Sequence, residues 1–448
     1  MDLIDRRTFL KSAAGTAGVV AGATVLKGVQ KKNSPNDTVN VAVVGIRSRG
    51  SFYGGGGHCE NLAKLPNVRI VKLCDVDERL FPKVLADLEK LTGYKTKTEV
   101  DFRRLLEDKD IDAVSLATPD HWHALHTVWA CQAGKDVYVE KPVSYTVEEG
   151  RRMVQAARKY NRVVQVGTQS RSSKVVQEAV RLVREGVIGK VYMGRGIVYR
   201  YRESIGRIQN SPVPEGVHWD LFLGPAPSRP FNLNRFHYNW HWVWDTSTTE
   251  FGNNGTHQMD RIRWALGKLV HPKVIHCAGK LYHREDSDQE VPNFQAATFE
   301  YDDGIILELE VRCLDANSEA GFKEGSFLYG TEGWMYVTHL EFQTFLGRKA
   351  EPGPAMKGRD LKPPVTQLES IHFQNFIDCV RSRQWQNLNA DILEGHLSTA
   401  LMHLGNISYR TGRKLVFDSS SEKFVNDNDA NSYLTRTYRK PYVLPDSV

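Results

Sequence analysis

From Thr38 onward the chain alternates short apolar runs with amphipathic stretches. Val39-Asn40-Val41-Ala42-Val43-Val44 is nearly continuous in apolar character and stops at Gly45. That is the pattern of a parallel strand buried on both faces. Residues 69–75 repeat it, as do 111–117, 136–139 and 163–166, with helical stretches near 101–107 and 124–133 between them. Strands alternating with helices at this spacing predict a doubly wound parallel sheet, a Rossmann fold over 38–165. Beyond it a helix is expected at 174–185. Strand patterns then follow at 191–201, 273–282, 294–301, 305–313, 325–330 and 334–337, with Asp302-Asp303-Gly304 as a hairpin turn. They predict a C-terminal α/β domain, residues 166–420, built on a large, mostly antiparallel open sheet. Residues 348–368, rich in Lys, Pro and Gly, read as an excursion loop. Helices at 371–381 and 391–411 close this domain, the second stopped by Gly412. Residues 421–448 read as an extended arm that reaches a partner subunit.

The first 37 residues carry a different signal. Arg6-Arg7 precede Phe9-Leu10-Lys11 and a Gly/Ala-rich run over 13–26, interrupted by Thr16 and Thr24. This is the pattern of a twin-arginine export signal, with Ala21-Gly22-Ala23 as a small-residue cleavage site and 28–37 as linker. The run is too polar for a good membrane span. The expectation is export to the periplasm or an equivalent compartment by the twin-arginine machinery, in a folded, cofactor-loaded state and with no membrane span after processing.

Composition narrows the class. With 41 % hydrophobic residues and a formal charge of +6 on 448 residues, the chain reads as an ordinary soluble protein. Its basic surplus is spread out rather than gathered with aromatics into a patch, which argues against nucleic acid. Cys59, Cys74, Cys131, Cys277, Cys313 and Cys379 form no CxxC pair, and several sit in apolar runs. They are expected to be mostly buried thiols, with disulfides left open after export.

Candidate chemistry sits at strand ends. Gly45-Ile46-Arg47-Ser48-Arg49-Gly50 follows the first strand and keeps the first and third glycines of a G-x-G-x-x-G loop, with Arg47 in place of the second. The glycines at 54–57 suggest that the loop beyond is mobile. Asp75 ends the second strand, where a carboxylate can accept both adenosine ribose hydroxyls and repel a 2′-phosphate. The expected cofactor is therefore NAD, held by Gly45, Arg47, Ser48, Arg49, Gly50 and Asp75. Thr118-Pro119-Asp120-His121-Trp122-His123 leaves the next strand, and Glu140-Lys141-Pro142 the one after. His121, His123 and His126 are read as two loop residues and one helical residue without carboxylate partners, so no metal site is predicted.

The ordered series of strand, Thr-Pro, His, helix, Ala-Gly-Lys, strand and Glu-Lys-Pro resembles the Gfo/Idh/MocA family of dinucleotide-dependent sugar and polyol oxidoreductases, over roughly 38–420. The resemblance implies that Lys141 lies beside nicotinamide and substrate, where an ammonium can polarise the reacting oxygen. It implies Thr118, Pro119, His121, His123, Glu140 and Gln169 at the cofactor and Arg171 at the substrate. Residues 250–260 match the family pattern Asp-x-Gly-x-His-x-x-Asp, which makes His257 the catalytic proton shuttle and Asp260 the following acid. Asn253 departs from the pattern, since an amide stands where many members carry Asp. Either His257 then works with a lower pKa, or Lys141 carries more of the proton transfer.

Between these motifs, residues 217–269 crowd Trp219, Phe222, Phe231, Phe236, Tyr238, Trp240, Trp242 and Trp244 together. Aromatic faces can stack on sugar C–H faces, which makes Trp240 and Trp242 substrate candidates, against core packing as the alternative. Three functions compete. The first is an NAD-dependent oxidoreductase on a sugar or glycoside. The second is a redox-neutral glycosidase that oxidises, eliminates and re-reduces. The third is a non-catalytic binding protein. The resemblance implies a homo-oligomer joined through the open face of the second sheet.

Overall fold

The apolar runs become parallel strands. The computed structural model describes residues 38–448 apart from 315–316, 320, 362–367 and 446–447; the twin-arginine segment lies outside the described residues. The first sheet contains β1 (Val39–Val44), β2 (Val68–Cys74), β3 (Lys97–Glu99), β4 (Ala113–Leu116), β5 (Asp136–Val139) and β6 (Val164–Val166), in the order β3-β2-β1-β4-β5-β6. Every pair is parallel. The order reverses between β1 and β4, so a crevice opens beyond their carboxyl ends, at Gly45 and Thr118. Helices α1 (His58–Leu62), α2 (Phe81–Thr92), α3 (Phe102–Glu107), α4 (Asp120–Gln132) and α5 (Val147–Lys159) connect the strands. At the start of α5, Thr146 Oγ1 accepts from Glu149 N while Glu149 Oε2 accepts from Tyr145 N, a local cap that starts the helix after the Lys141 loop.

The second domain begins with α6 (Lys174–Arg184), β7 (Val191–Tyr199), α7 (Trp219–Leu223) and α8 (Thr256–Ala265). Seven strands follow: β8 (Val274–Lys280), β9 (Phe294–Glu300), β10 (Ile306–Arg312), β11 (Glu324–Gly330), β12 (Gly333–Val337), β13 (Glu341–Leu346) and β14 (Glu351–Lys357). Then come α9 (Leu368–Ser382), α10 (Ile392–Thr411), β15 (Leu415–Asp418), β16 (Lys423–Phe424) and α11 (Asn428–Ser432). The ten-stranded sheet runs β14-β13-β12-β11-β7-β10-β9-β8-β15-β16. Only β7 and β10 pair in parallel. One face packs on α6, α8 and α10 through Val176, Ile262, Leu401, Leu307 and Phe299. A Cβ on Gly196 of β7 would lie 2.9 Å from the Gln258 Cβ, so glycine there lets α8 approach the sheet closely.

Three sequence expectations need correction. The segment read as an excursion loop contains strand β14, whose Pro352 and Pro354 are tolerated because it is the exposed edge of the sheet. The sequence places helix α9 with the C-terminal domain, yet its Phe373, Phe376 and Ile377 belong to the same core cluster as Val41 and Ile70 of the first sheet. The C-terminal arm does not extend away from its own chain. Tyr442 and Leu444 are buried in the Rossmann core, and the Tyr442 ring sits edge-on to Trp122 at 5.4 Å. All six cysteines are free and buried, as expected. Among the described residues no helix is long and apolar enough to cross a membrane.

Candidate active site

The crevice at the ends of β1 and β4 continues into a cavity of about 1190 Å³ between the Rossmann strand ends and α8. That exceeds the space a single small ligand fills. At one end lies the glycine loop. Gly45 has φ +81°, and a Cβ on Gly50 would sit 2.0 Å from the Gly45 oxygen, so both positions require glycine. Gly45, Arg47, Ser48 and Arg49 line the cavity; Gly50 lies behind them and shapes the turn. Gly56 and Gly57 do not loosen the following loop. A Cβ on Gly57 would meet the Ser51 oxygen at 1.9 Å, which makes this a tightly packed turn.

Asp75 lines the same end. Its Oδ2 accepts from Ile46 N at 2.7 Å and its Oδ1 from Asp77 N at 3.0 Å, which ties the acid to the glycine loop. Desolvation pushes its pKa up to about 6, against those hydrogen bonds. A glycine cradle with a carboxylate at the adjacent strand end fits a dinucleotide's diphosphate and ribose.

Deeper in the wall, Thr118, Pro119, His123, Glu140, Lys141 and Gln169 come together as expected. Glu140 accepts from Arg49 Nε at 3.1 Å, pairs with His58 Nε2 at 3.0 Å and accepts from Gln169 Nε2 at 3.3 Å. These partners hold its carboxyl well below the usual range despite burial. The histidine expectation is corrected: His121, His123 and His126 all lie on α4. His121 is outside the cavity wall, bonded to the Phe222 oxygen at 3.0 Å, while His123 lies between the Pro142 and Thr118 oxygens.

Lys141 Nζ donates to the Asn253 backbone oxygen at 2.7 Å and to its Oδ1 at 3.1 Å. Burial lowers the lysine pKa, and the charges of Glu140 and Asp120 resist that shift. Asp120, at the start of α4, accepts from Thr248 Oγ1 at 2.6 Å; burial pushes its carboxyl up to about 7. On the other wall, a π-helical turn (Phe251–Gly255) leads into α8 and brings Asn253, Asn254 and His257 to the cavity. Such turns recur at functional sites. His257 has no hydrogen bond to a described residue, and its pKa is lowered well below the usual value by burial, then by the charges of Lys141 and Arg261. Burial thus favours its neutral form, with the ring at the cavity wall.

Other expected substrate residues lie elsewhere. Arg171 and Asp260 form a buried bidentate pair at 2.8 Å, extended by Glu394 at 3.1 Å, and neither reaches the cavity. Trp242 is buried behind the wall, whereas Trp240 and Tyr238 line it. Trp219, Phe222, Phe231 and Phe236 mainly pack with one another, so core packing accounts for much of the aromatic crowding. Sequence reasoning missed Asp120, His241, Glu250 and Arg202. Glu250 accepts from Arg202 at 2.9 Å and from the Asn253 amide at 3.1 Å, and so orients Asn253. Only the position of Glu250, three residues before Asn253, hinted at this.

Residues 39–168 match the family model described as "Oxidoreductase family, NAD-binding Rossmann fold", and 174–444 match "Oxidoreductase family, C-terminal alpha/beta domain". The chain is 27 % identical over 261 residues to a "Glycosyl hydrolase family 109 protein" of Shewanella baltica. It is 26 % identical over 261 residues to an "Alpha-N-acetylgalactosaminidase" of Shewanella oneidensis. Each match covers 52 % of this chain and 57 % of the relative, so the chain spans little more than half the length of these relatives. Among solved structures, aldose-aldose oxidoreductase from Caulobacter crescentus, complexed with glycerol, shares the fold at TM-score 0.62 and 18 % identity, over 85 % of this chain and 100 % of that one. The WlbA dehydrogenase from Bordetella pertussis, in complex with NADH and UDP-GlcNAcA, does so at TM-score 0.61 and 19 % identity, over 85 % and 99 %. By the two family models, which together span the described fold from β1 to the C-terminal arm, this chain belongs to the Gfo/Idh/MocA family of oxidoreductases, with an NAD-binding Rossmann domain.

Proposed function

We propose that this protein oxidises or reduces a hydroxyl-bearing carbon of a sugar or glycoside with a tightly held NAD. One observation carries the reading. Lys141 from the Rossmann domain and His257 from the C-terminal domain line the same cavity that opens at Gly45 and Asp75. When bound, the nicotinamide supplies a hydride acceptor or donor. The chain's own residues supply the proton chemistry. Lys141 and His257 both face the cavity, and burial favours the neutral form of each, the form that can accept a proton from the reacting hydroxyl. Trp240 and Tyr238 offer aromatic faces for a sugar ring.

The glycosidase names of the curated relatives support a second reading, redox-neutral cleavage of a glycoside. It would use the same residues: oxidation acidifies the neighbouring C–H, that proton is lost as the aglycone leaves in its protonated form, water adds across the resulting C=C bond, and return of the hydride to the ketone restores the hydroxyl. Stoichiometry separates the two. Purified protein with its co-purifying nucleotide is given chromogenic glycosides and free sugars. Aglycone release without net NADH supports cleavage; NADH formed in proportion to oxidised sugar supports the dehydrogenase. Absence of both, with NAD bound, overturns the proposal.

Export by the twin-arginine route belongs to the same proposal. A folded route lets a cytoplasmic cofactor travel inside the protein, and internal recycling of the hydride removes the need for a free pool. A second copy seated on the open face of the ten-stranded sheet, where Trp334, Tyr336 and Phe345 cluster, completes it.

A further inference from the structure

Arg261 stands on α8, one turn beyond His257. Its side chain forms part of the cavity wall yet is only 5 % exposed. Three arginines of the described residues are buried this deeply: Arg171, Arg261 and Arg263. Arg171 faces Asp260 and Glu394, and Arg263 faces Glu394. Arg261 faces only neutral oxygens. Its Nε donates to Ser326 Oγ at 3.0 Å, its Nη1 to Ser170 Oγ at 3.1 Å, and its Nη2 to Gln258 Oε1.

A guanidinium taken out of water without a counter-charge is strongly unfavourable. Here burial pulls the Arg261 pKa down to about 10, and the charges of Asp260 and Glu324 only partly offset it. Three of its five N–H groups are accounted for, which leaves two donors for a ligand. Its contacts come from the turn after β6, from α8 and from β11. None comes from the loop at 45–50, where a dinucleotide's diphosphate would lie, so Arg261 is held by a different part of the cavity wall.

Resting on the sugar reading above, we propose that the substrate carries an anionic group that pairs with Arg261 while its reacting carbon lies at Lys141 and His257. A hexuronate carboxylate or a sulfate or phosphate ester supplies the shared chemistry: two or three oxygens that accept the guanidinium fork. The anion stays unchanged through the reaction. It sets substrate class and orientation.

The NAD-loaded wild-type protein tests this without any substitution. Glucuronate and galacturonate, glucose and galactose, and the 6-sulfates and 6-phosphates of the two sugars are titrated calorimetrically. At least one anionic sugar is expected to bind about 10- to 100-fold tighter than its neutral parent, the range of a charge-assisted hydrogen bond. Whether uronates or esters lead identifies the source of the charge. Neutral parents that bind as well as every anionic partner overturn this inference and leave the sugar reading standing. No binding and no hydride transfer with any sugar, charged or neutral, sinks that reading and this inference with it. Arg261→Gln should bring the charged-to-neutral affinity ratio close to one, and Arg261→Lys should keep part of it. An undiminished ratio in folded Arg261→Gln overturns the assignment to Arg261. If that variant does not fold, the wild-type comparison and Arg261→Lys decide.

Discussion

Lys141 and Asn253 join the two domains at the reacting end of the cavity, the lysine Nζ donating to both oxygens of the asparagine at 2.7 and 3.1 Å. This changes the meaning of the amide. From the sequence, an amide in place of the family's carboxylate either lowers the pKa of His257 or shifts proton transfer toward Lys141. The contact is with the lysine, and Glu250 holds the amide in place from behind. An amide adds no charge beside Lys141, so burial, resisted by the charges of Glu140 and Asp120, still favours its neutral, basic form.

Asn253→Asp therefore acts on Lys141 first. A carboxylate beside the ammonium favours its charged form, which raises the lysine pKa. The limb of the pH–rate profile that needs neutral lysine should move to higher pH, and turnover at neutral pH should fall. A profile that superimposes on wild type would show that Lys141 is not the group being titrated.

Lys141→Met and His257→Ala should each lower turnover by about 10²–10⁴-fold, the usual contribution of a positioned acid–base group. NAD affinity should change little, because the cradle at Gly45–Gly50 and Asp75 is untouched. Single-turnover rates and nucleotide titration measure the two effects separately. Turnover close to wild type in both variants removes the catalytic assignment.

With its pKa raised to about 6 by burial, Asp75 should give NAD binding a pH dependence. The ionised carboxylate is the form that accepts ribose hydroxyls. As pH falls through about 6 that acceptor is lost, and affinity should drop by up to about tenfold for each further pH unit. Asp75→Asn should bind more weakly and nearly independently of pH between 5 and 8. Equal pH dependence in wild type and variant would assign the effect to another group.

Asp260 is the family's second acid, but here it neutralises Arg171 inside the protein. Asp260→Ala leaves a buried guanidinium short of its main partner and should cost about 3–5 kcal/mol of stability. Denaturant unfolding measures this. The surviving folded fraction should bind NAD normally. A large loss of substrate affinity with unchanged stability would return Asp260 to the substrate site.

Replacing Arg6 and Arg7 together by lysine should block export while leaving the cytoplasmic protein folded, because the pair precedes Thr38, where the folded unit begins. Fractionation with an activity or nucleotide-content assay measures it. Normal export of the double variant would reject the twin-arginine reading.

Much of this protein is legible along the chain because the responsible physics is local. Parallel strands buried on both faces read as unbroken apolar runs, so β1, β2, β4 and β5 could be placed to within a few residues. Glycines forced by close approach, the acid at the end of β2, and Lys141 and His257 in their motifs follow from short spacings. The tertiary structure alone decided which charges are satisfied. Arg171, Arg261 and Arg263 look alike in sequence, yet two meet carboxylates and the third meets hydroxyls and an amide in the cavity wall. It also moved α9 into the Rossmann core and turned Asn253 toward Lys141 rather than His257. Such contacts join residues 309 positions apart, as Asn61 and Ser370 of α9 show. A side chain's pattern in sequence records whether it prefers water. It does not record which partner the folded chain brings to it.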